Sequence, residues 1–184
     1  MGRLRSWLAR GGLILSGGFL GYVISQSLAF YTFTKNLEAT KKIEMIHLAR
    51  DLTHDFYHGT DTNPLFRDVR MTIEKCKKLY KGYDKEGNFN YDQINIYLGF
   101  FDDLGFYYKK EALDLETINQ LFGAYVIEAY ENNEVQRYIN DLQKNSKQPG
   151  AFVNFQLLAQ KLEEIPEHKE LMKDSRLGCS DKGK

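Results

Sequence analysis

Two cysteines, Cys76 and Cys179, are all that this 184-residue chain contains, and they stand far apart. A disulfide framework of the kind that staples small exported domains is therefore not expected, and Cys76 reads as a buried structural thiol. A charge excess is missing as well. Lysine plus arginine and aspartate plus glutamate each count 25, so the chain has no net charge with which to grip nucleic acid by releasing counterions. Sustained apolar and polar alternation is absent, which argues against a sheet, and no repeat of solenoid length occurs. Neither a glycine-rich phosphate cradle nor a serine-nucleophile elbow is present. The stretch from Asp84 imitates a calcium loop only at its start. The position that requires glycine is Phe89, and the one that requires a bidentate carboxylate is Asn95. No catalytic signature and no cofactor motif is left, so neither an enzyme nor a bound cofactor is expected.

What the chain does have is apolar surface, with 42% hydrophobic residues against 27% charged, the balance of a folded protein. Its first concentration is Gly11 to Thr34, 24 residues without a charge. As a helix rising ~1.5 Å per residue this segment reaches about 36 Å, against a hydrocarbon core of about 30 Å. Leu13, Ile14, Leu15, Phe19, Leu20, Val23, Ile24, Leu28, Phe30 and Phe33 together contribute on the order of 3–6 kcal/mol towards insertion, a margin that glycines, serines and Gln26 erode. A cleaved signal peptide competes with an anchor, because Arg3, Arg5 and Arg10 form a basic start and Ser27-Leu28-Ala29 resembles a cleavage site. Phe30, Tyr31 and Phe33 lie beyond that site and favour an uncleaved anchor whose aromatics sit at the membrane interface. Lys35, Lys41, Lys42 and Arg50 balance the arginines ahead of the span, so charge does not set the orientation. Gly17 and Gly21 place two small residues on one face, a spacing that lets two transmembrane helices pair into a homodimer.

Beyond the span the periodicity is helical throughout. Residues 36–57 contain no proline or glycine, and Met45, Leu48, Ala49, Leu52 and Phe56 form one stripe at ~100° per residue. Asn63-Pro64 opens a second helix expected over 64–80. Asn90, with Gln93 at the capping-box position, opens a third that reaches Lys110. Asp114 caps a fourth carrying Leu115, Ile118, Leu121, Phe122, Tyr125, Val126 and Ala129. A shorter helix is expected over 134–142 and a last one over 151–163. The tail from Pro166 is polar and is expected to be disordered.

Three of the four histidines fall on the helix that follows the span. His47, Asp51, His54 and His58 lie within about 60° of one another on a helical wheel, and imidazole with carboxylate suits zinc or iron. This face is opposite the apolar stripe, so an ordinary solvated face is the competing reading, and a straight helix offers one ion only an i,i+4 pair such as His54 and His58. Asp102 and Asp103 point about 100° apart and cannot share one small site; a helix cap or a cationic partner elsewhere in the bundle suits them better. Phe100, Phe101, Phe106, Tyr107 and Tyr108 read as packing residues in preference to a ligand-stacking platform.

Four segments carry a resemblance to a known family: Thr34-Lys-Asn-Leu-Glu-Ala-Thr-Lys-Lys, Asn63-Pro64-Leu65-Phe66-Arg67, Tyr97-Leu98-Gly99-Phe100-Phe101-Asp102-Asp103-Leu104-Gly105, and Phe152-Val-Asn-Phe155-Gln-Leu-Leu158-Ala159. Across residues 10 to 163 the chain resembles a bacterial family of small single-pass membrane proteins whose helical domain is of unknown function. The resemblance implies an N-terminal anchor and a helical domain facing the cytoplasm, and it carries no active-site residue to transfer.

The expectation is an all-α chain in which a transmembrane helix continues into a soluble bundle of five to six helices. Residues 1–10 form a basic segment, 11–34 the span, 35–165 the bundle and 166–184 a polar tail. The expected role is a membrane-anchored interaction or scaffold module whose partners are the bilayer and a second protein or a second copy. The alternatives are a metal-binding enzyme or sensor using His47, Asp51, His54 and His58, and an accessory subunit of a larger membrane complex.

Overall fold

The computed structural model describes residues 2–58, 63–80, 87–144 and 148–168, and within them the side chains of 2–25, 27, 28 and 63 lie outside the description. The described residues are all-α, with six named helices: α1 (Gly2–His58), α2 (Asn63–Glu74), α3 (Tyr91–Lys109), α4 (Leu115–Glu131), α5 (Asn133–Lys144) and α6 (Val153–Glu163). The chain divides into two compact units, Met1–Glu44 and Met45–Lys184.

The first unit is helical backbone throughout its described length. Phe30, Tyr31 and Phe33 are 70%, 59% and 64% exposed, and the Lys35 ammonium lies 5.8 Å from the centre of the Tyr31 ring. Among the described residues, no helix is long and apolar enough to cross a membrane. The span expected over Gly11 to Thr34, together with Gly17 and Gly21, falls largely on positions whose side chains lie outside the described residues.

In the second unit, α3 packs along α6, α4 packs on α6, α2 lies over α3 and α4, and α5 follows against α4. The stripe expected on the helix after the span supplies the seam: Ala49 and Phe56 are buried, and Met45, Leu48 and Leu52 pack beside them. Phe56 is the hub, with its ring centre 5.0 to 6.1 Å from those of Phe66, Phe100, Phe101, Phe122 and Tyr125. Burying one such side chain contributes roughly 1.5–3 kcal/mol, and the edge-on and tilted contacts add to it.

Two of the helix starts expected from sequence form as read. The Asn90 side chain accepts from Gln93 N–H at 2.9 Å, and the Gln93 side chain accepts from Asn90 N–H at 3.0 Å, a complete capping box. Asp114 accepts from Thr117 N–H at 2.7 Å. Asn132 does two jobs: it closes α4, and its buried side chain accepts from Glu134 N–H at 3.0 Å and Val135 N–H at 3.1 Å to start α5.

Three boundaries differ from expectation. Helix α2 stops at Glu74 and does not reach 80. Cys76 turns left-handed (φ 49), its N–H donates to Ile73 O at 2.9 Å, and Lys77 N–H donates to Thr72 O at 3.1 Å. These two bonds are a Schellman terminus, which sequence reading expects at glycine or asparagine. Leu79 and Phe89, both buried, then pin the ends of the following loop through an isolated bridge between Tyr80 and Phe89. The same terminus closes α3 at Glu111 (φ 55), with Glu111 N–H to Tyr108 O and Ala112 N–H to Tyr107 O both at 3.0 Å. Helix α6 begins at Val153, after a left-handed Phe152 that offers no side-chain cap. Finally, burial extends past Pro166, because His168 is only 5% exposed.

Candidate functional site

The missing cap of α6 is supplied from α3. Asp102 Oδ1 accepts from Phe155 N–H at 2.9 Å, and Asp102 Oδ2 accepts from Asn154 Nδ2 at 3.1 Å. A carboxylate at a helix N-terminus satisfies orphan N–H groups and opposes the helix dipole. One turn along α3, Gly105 allows the approach: a β-carbon there would overlap the backbone carbonyl of Asn154. Of the two roles the sequence left open for Asp102, a helix cap or a cationic partner, it takes the cap. Asp103 is exposed, and partial desolvation of its carboxyl by the surrounding side chains, with the neighbouring Asp102, raises its proton affinity.

The densest polar chemistry among the described residues lies where α1, α2, α3 and α4 meet, at positions that sequence reading did not single out. Arg70 of α2 donates from Nε to Glu74 at 2.9 Å, and its guanidinium carbon stands 5.2 Å from the Tyr125 ring centre on α4. Tyr57 of α1 donates to Leu121 O at 3.4 Å, and its phenol is held well above the usual range, first by burial and then by a hydrogen bond with Tyr125. Tyr97 is fully buried close by, and burial raises its phenol as well. Burial pushes the Glu128 carboxyl up to about 7; Glu74 adds to the shift and Arg70 opposes it. A carboxyl in that range exchanges a proton near neutrality. Beside the cluster is a small cavity of about 180 Å³ among Phe56, Tyr57, Phe66, Arg67 and Arg70. Arg70 is already engaged by Glu74 and Tyr125, so the cluster reads as an internally neutralised set of charges. The signal for it in the sequence is weak: Arg70 and Glu74, an i,i+4 pair, look like any surface ion pair.

A wider groove of about 540 Å³ opens at the α3–α4 turn, lined by Met45, Tyr108, Lys109, Glu111, Leu115 and Leu157 among others. Its floor is apolar, its rim carries both signs of charge, and the left-handed Glu111 lies on it.

The histidine face is placed in solvent. His47, Asp51, His54 and His58 are exposed, Asp51 pairs with Arg50 at 3.2 Å, and His54 lies 3.6 Å from Asp55. The His54 and His58 rings stand 5.9 Å apart, as an i,i+4 pair should. Among the described residues, no three His, Cys, Asp or Glu side chains converge as a metal site would require. Cys76 departs from the free thiol expected of it, being disulfide-bonded. The loop residues Asp84 to Glu86 of the calcium-like stretch lie outside the described residues. Phe101 is core, Phe100, Tyr107 and Tyr108 pack against it, and Phe106 is exposed.

Among the described residues these features define a class: an all-α protein with a tightly packed helical unit, a neutralised charge cluster and an apolar groove at a helix turn. A family model described as "Domain of unknown function (DUF4760)" matches residues 23–162, and the chain belongs to that family. No curated protein and no solved structure matches it.

Proposed function

We propose that this protein is a membrane-tethered helical interaction module, anchored by Gly11 to Thr34 and presenting the Met45–Lys184 unit to a partner protein or to a second copy of itself. The observation that carries the reading is the uncharged run of 24 residues that closes on three exposed aromatics, Phe30, Tyr31 and Phe33, followed at once by Lys35. Aromatic rings ahead of a lysine are the arrangement of a membrane–water boundary. Pairing of two copies runs through Gly17 and Gly21, whose spacing lets helices approach closely in lipid.

The test is alkaline carbonate extraction of membranes containing the full chain, together with crosslinking in the same membranes. Retention in the pellet and a crosslinked species that weakens in Gly17→Leu/Gly21→Leu support the reading. Release into the wash, or a mature chain beginning at Phe30, overturns it. The compartment of the helical unit is read from Cys76, since a disulfide persists in oxidising spaces and is reduced in the cytosol. Thiol labelling of intact cells under non-reducing conditions distinguishes a cytoplasmic unit, with Cys76 reactive, from one on the oxidising side, with Cys76 blocked.

A further inference from the structure

His168 lies against α4 with its ring buried. Its Nε2 faces the side-chain oxygen of Asn119, and the ring fits the notch left by Gly123, where a β-carbon would stand 3.1 Å from Nε2. Asn119 Oδ1 can only accept, so Nε2 carries the proton and Nδ1 is bare, the tautomer being assigned from this contact. Nδ1 is fully buried and has no hydrogen-bond partner among the described residues. The backbone N–H of His168 donates to Ile165 O at 3.1 Å, which ties Ile165 to His168 into one turn.

We infer that His168 is an acid-operated latch: as neutral imidazole it seats the Ile165–His168 turn on α4, and protonation at Nδ1 releases the turn and uncovers the Gly123 notch. A proton on Nδ1 would bury a charged donor without an acceptor, a cost that disappears once the ring reaches water. Helix α4 presents Asn119 and Gly123 to the ring, neither of which titrates. The one charged group acting on it among the described residues is its neighbour Glu167, which favours protonation, and burial outweighs that influence so that proton affinity is lowered. The seated ring therefore titrates below the ordinary value of 6.5. The hold is complete above that pH and is lost as pH falls from there towards the seated value, by up to about tenfold per pH unit for one proton. The latch does not depend on whether the N-terminal segment lies in lipid.

The test is hydrogen exchange of the full chain, following a peptide that spans Ile165 to His168 at several values between pH 7.5 and 5, with rates corrected for intrinsic pH dependence. Protection present at pH 7.5 and lost progressively below about 6.5 is expected. Two variants separate the latch from general acid loosening. His168→Gln can still donate to Asn119 but cannot titrate, and it should keep the same protection at both ends of the range. Asn119→Asp places a carboxylate against Nε2, favours the charged ring and should move the release to lower pH. Wild-type protection that does not change with pH overturns the proposal. So does Asn119→Asp releasing at the wild-type midpoint, however His168→Gln behaves.

Discussion

The carboxylate of Asp102 on α3 accepts the amide of Phe155 at 2.9 Å, so the first turn of α6 is capped by a residue more than fifty positions earlier in the chain. Helix α6 carries Phe155, Leu158, Ala159 and Leu162 into the core, and the left-handed Phe152 ahead of it offers no cap of its own. Asp102→Ala should cost about 2 kcal/mol, the value of charge-assisted bonds whose partners stay desolvated. Asp102→Asn, which keeps one acceptor, should cost less. Urea unfolding of the two variants checks both the size and the order.

Two glycines on the same helix are expected to behave oppositely. At Gly105 a β-carbon would overlap the Asn154 carbonyl, and backbone cannot give way cheaply, so Gly105→Ala should destabilise by roughly 1–3 kcal/mol. Gly99 has nothing within 4 Å of that position, so Gly99→Ala should gain roughly 0.5–1 kcal/mol from helix propensity alone. Equal effects at the two sites in thermal unfolding would contradict the α3–α6 contact.

Glu111 occupies the left-handed end of α3, a conformation that costs a non-glycine residue about 1 kcal/mol or more. Glu111→Gly should therefore raise stability by about 1 kcal/mol while leaving the Schellman bonds to Tyr107 and Tyr108 in place. A loss of stability would mean that the Glu111 side chain at the groove rim contributes more than its backbone strain removes.

Glu128 links stability to pH. Its carboxyl is shifted up from 4.5 to about 7 on folding, so the folded chain binds this proton more tightly than the unfolded one. The sign is fixed by linkage: the carboxylate's destabilising effect is absent below about 4.5, grows as pH rises towards 7 and is complete above it. Glu128→Gln should melt at a higher temperature than wild type at pH 8, with the difference shrinking by pH 5. A constant difference across that range would show that Glu128 does not titrate there.

Much of this architecture is legible without the structure because it is local. A capping box such as Asn90 with Gln93 is satisfied within three residues, as is the bond from Asp114 to Thr117, and the stripe from Met45 to Phe56 needs only the helical period. The all-α class and the starts of α3 and α4 followed from the sequence alone for that reason. The end of α3 was read to within one residue, at Lys110, whereas the end of α2 was not; at neither end was the left-handed residue itself, Cys76 or Glu111, legible, because neither residue type advertises that conformation. Those two positions are held by bonds to the preceding turn and by what packs around it.

Tertiary structure alone decided the rest. Asp102 became the cap of α6, the neutralised cluster of Arg70, Glu74, Tyr125 and Glu128 formed across two helices, and His168 was buried against Asn119 from a stretch that reads as polar tail. Each depends on groups about fifty or more residues apart, or on separate helices, and no periodicity or spacing encodes such a meeting. It is the loss of water around those groups, after the helices pack, that gives an ordinary aspartate, glutamate or histidine its particular role.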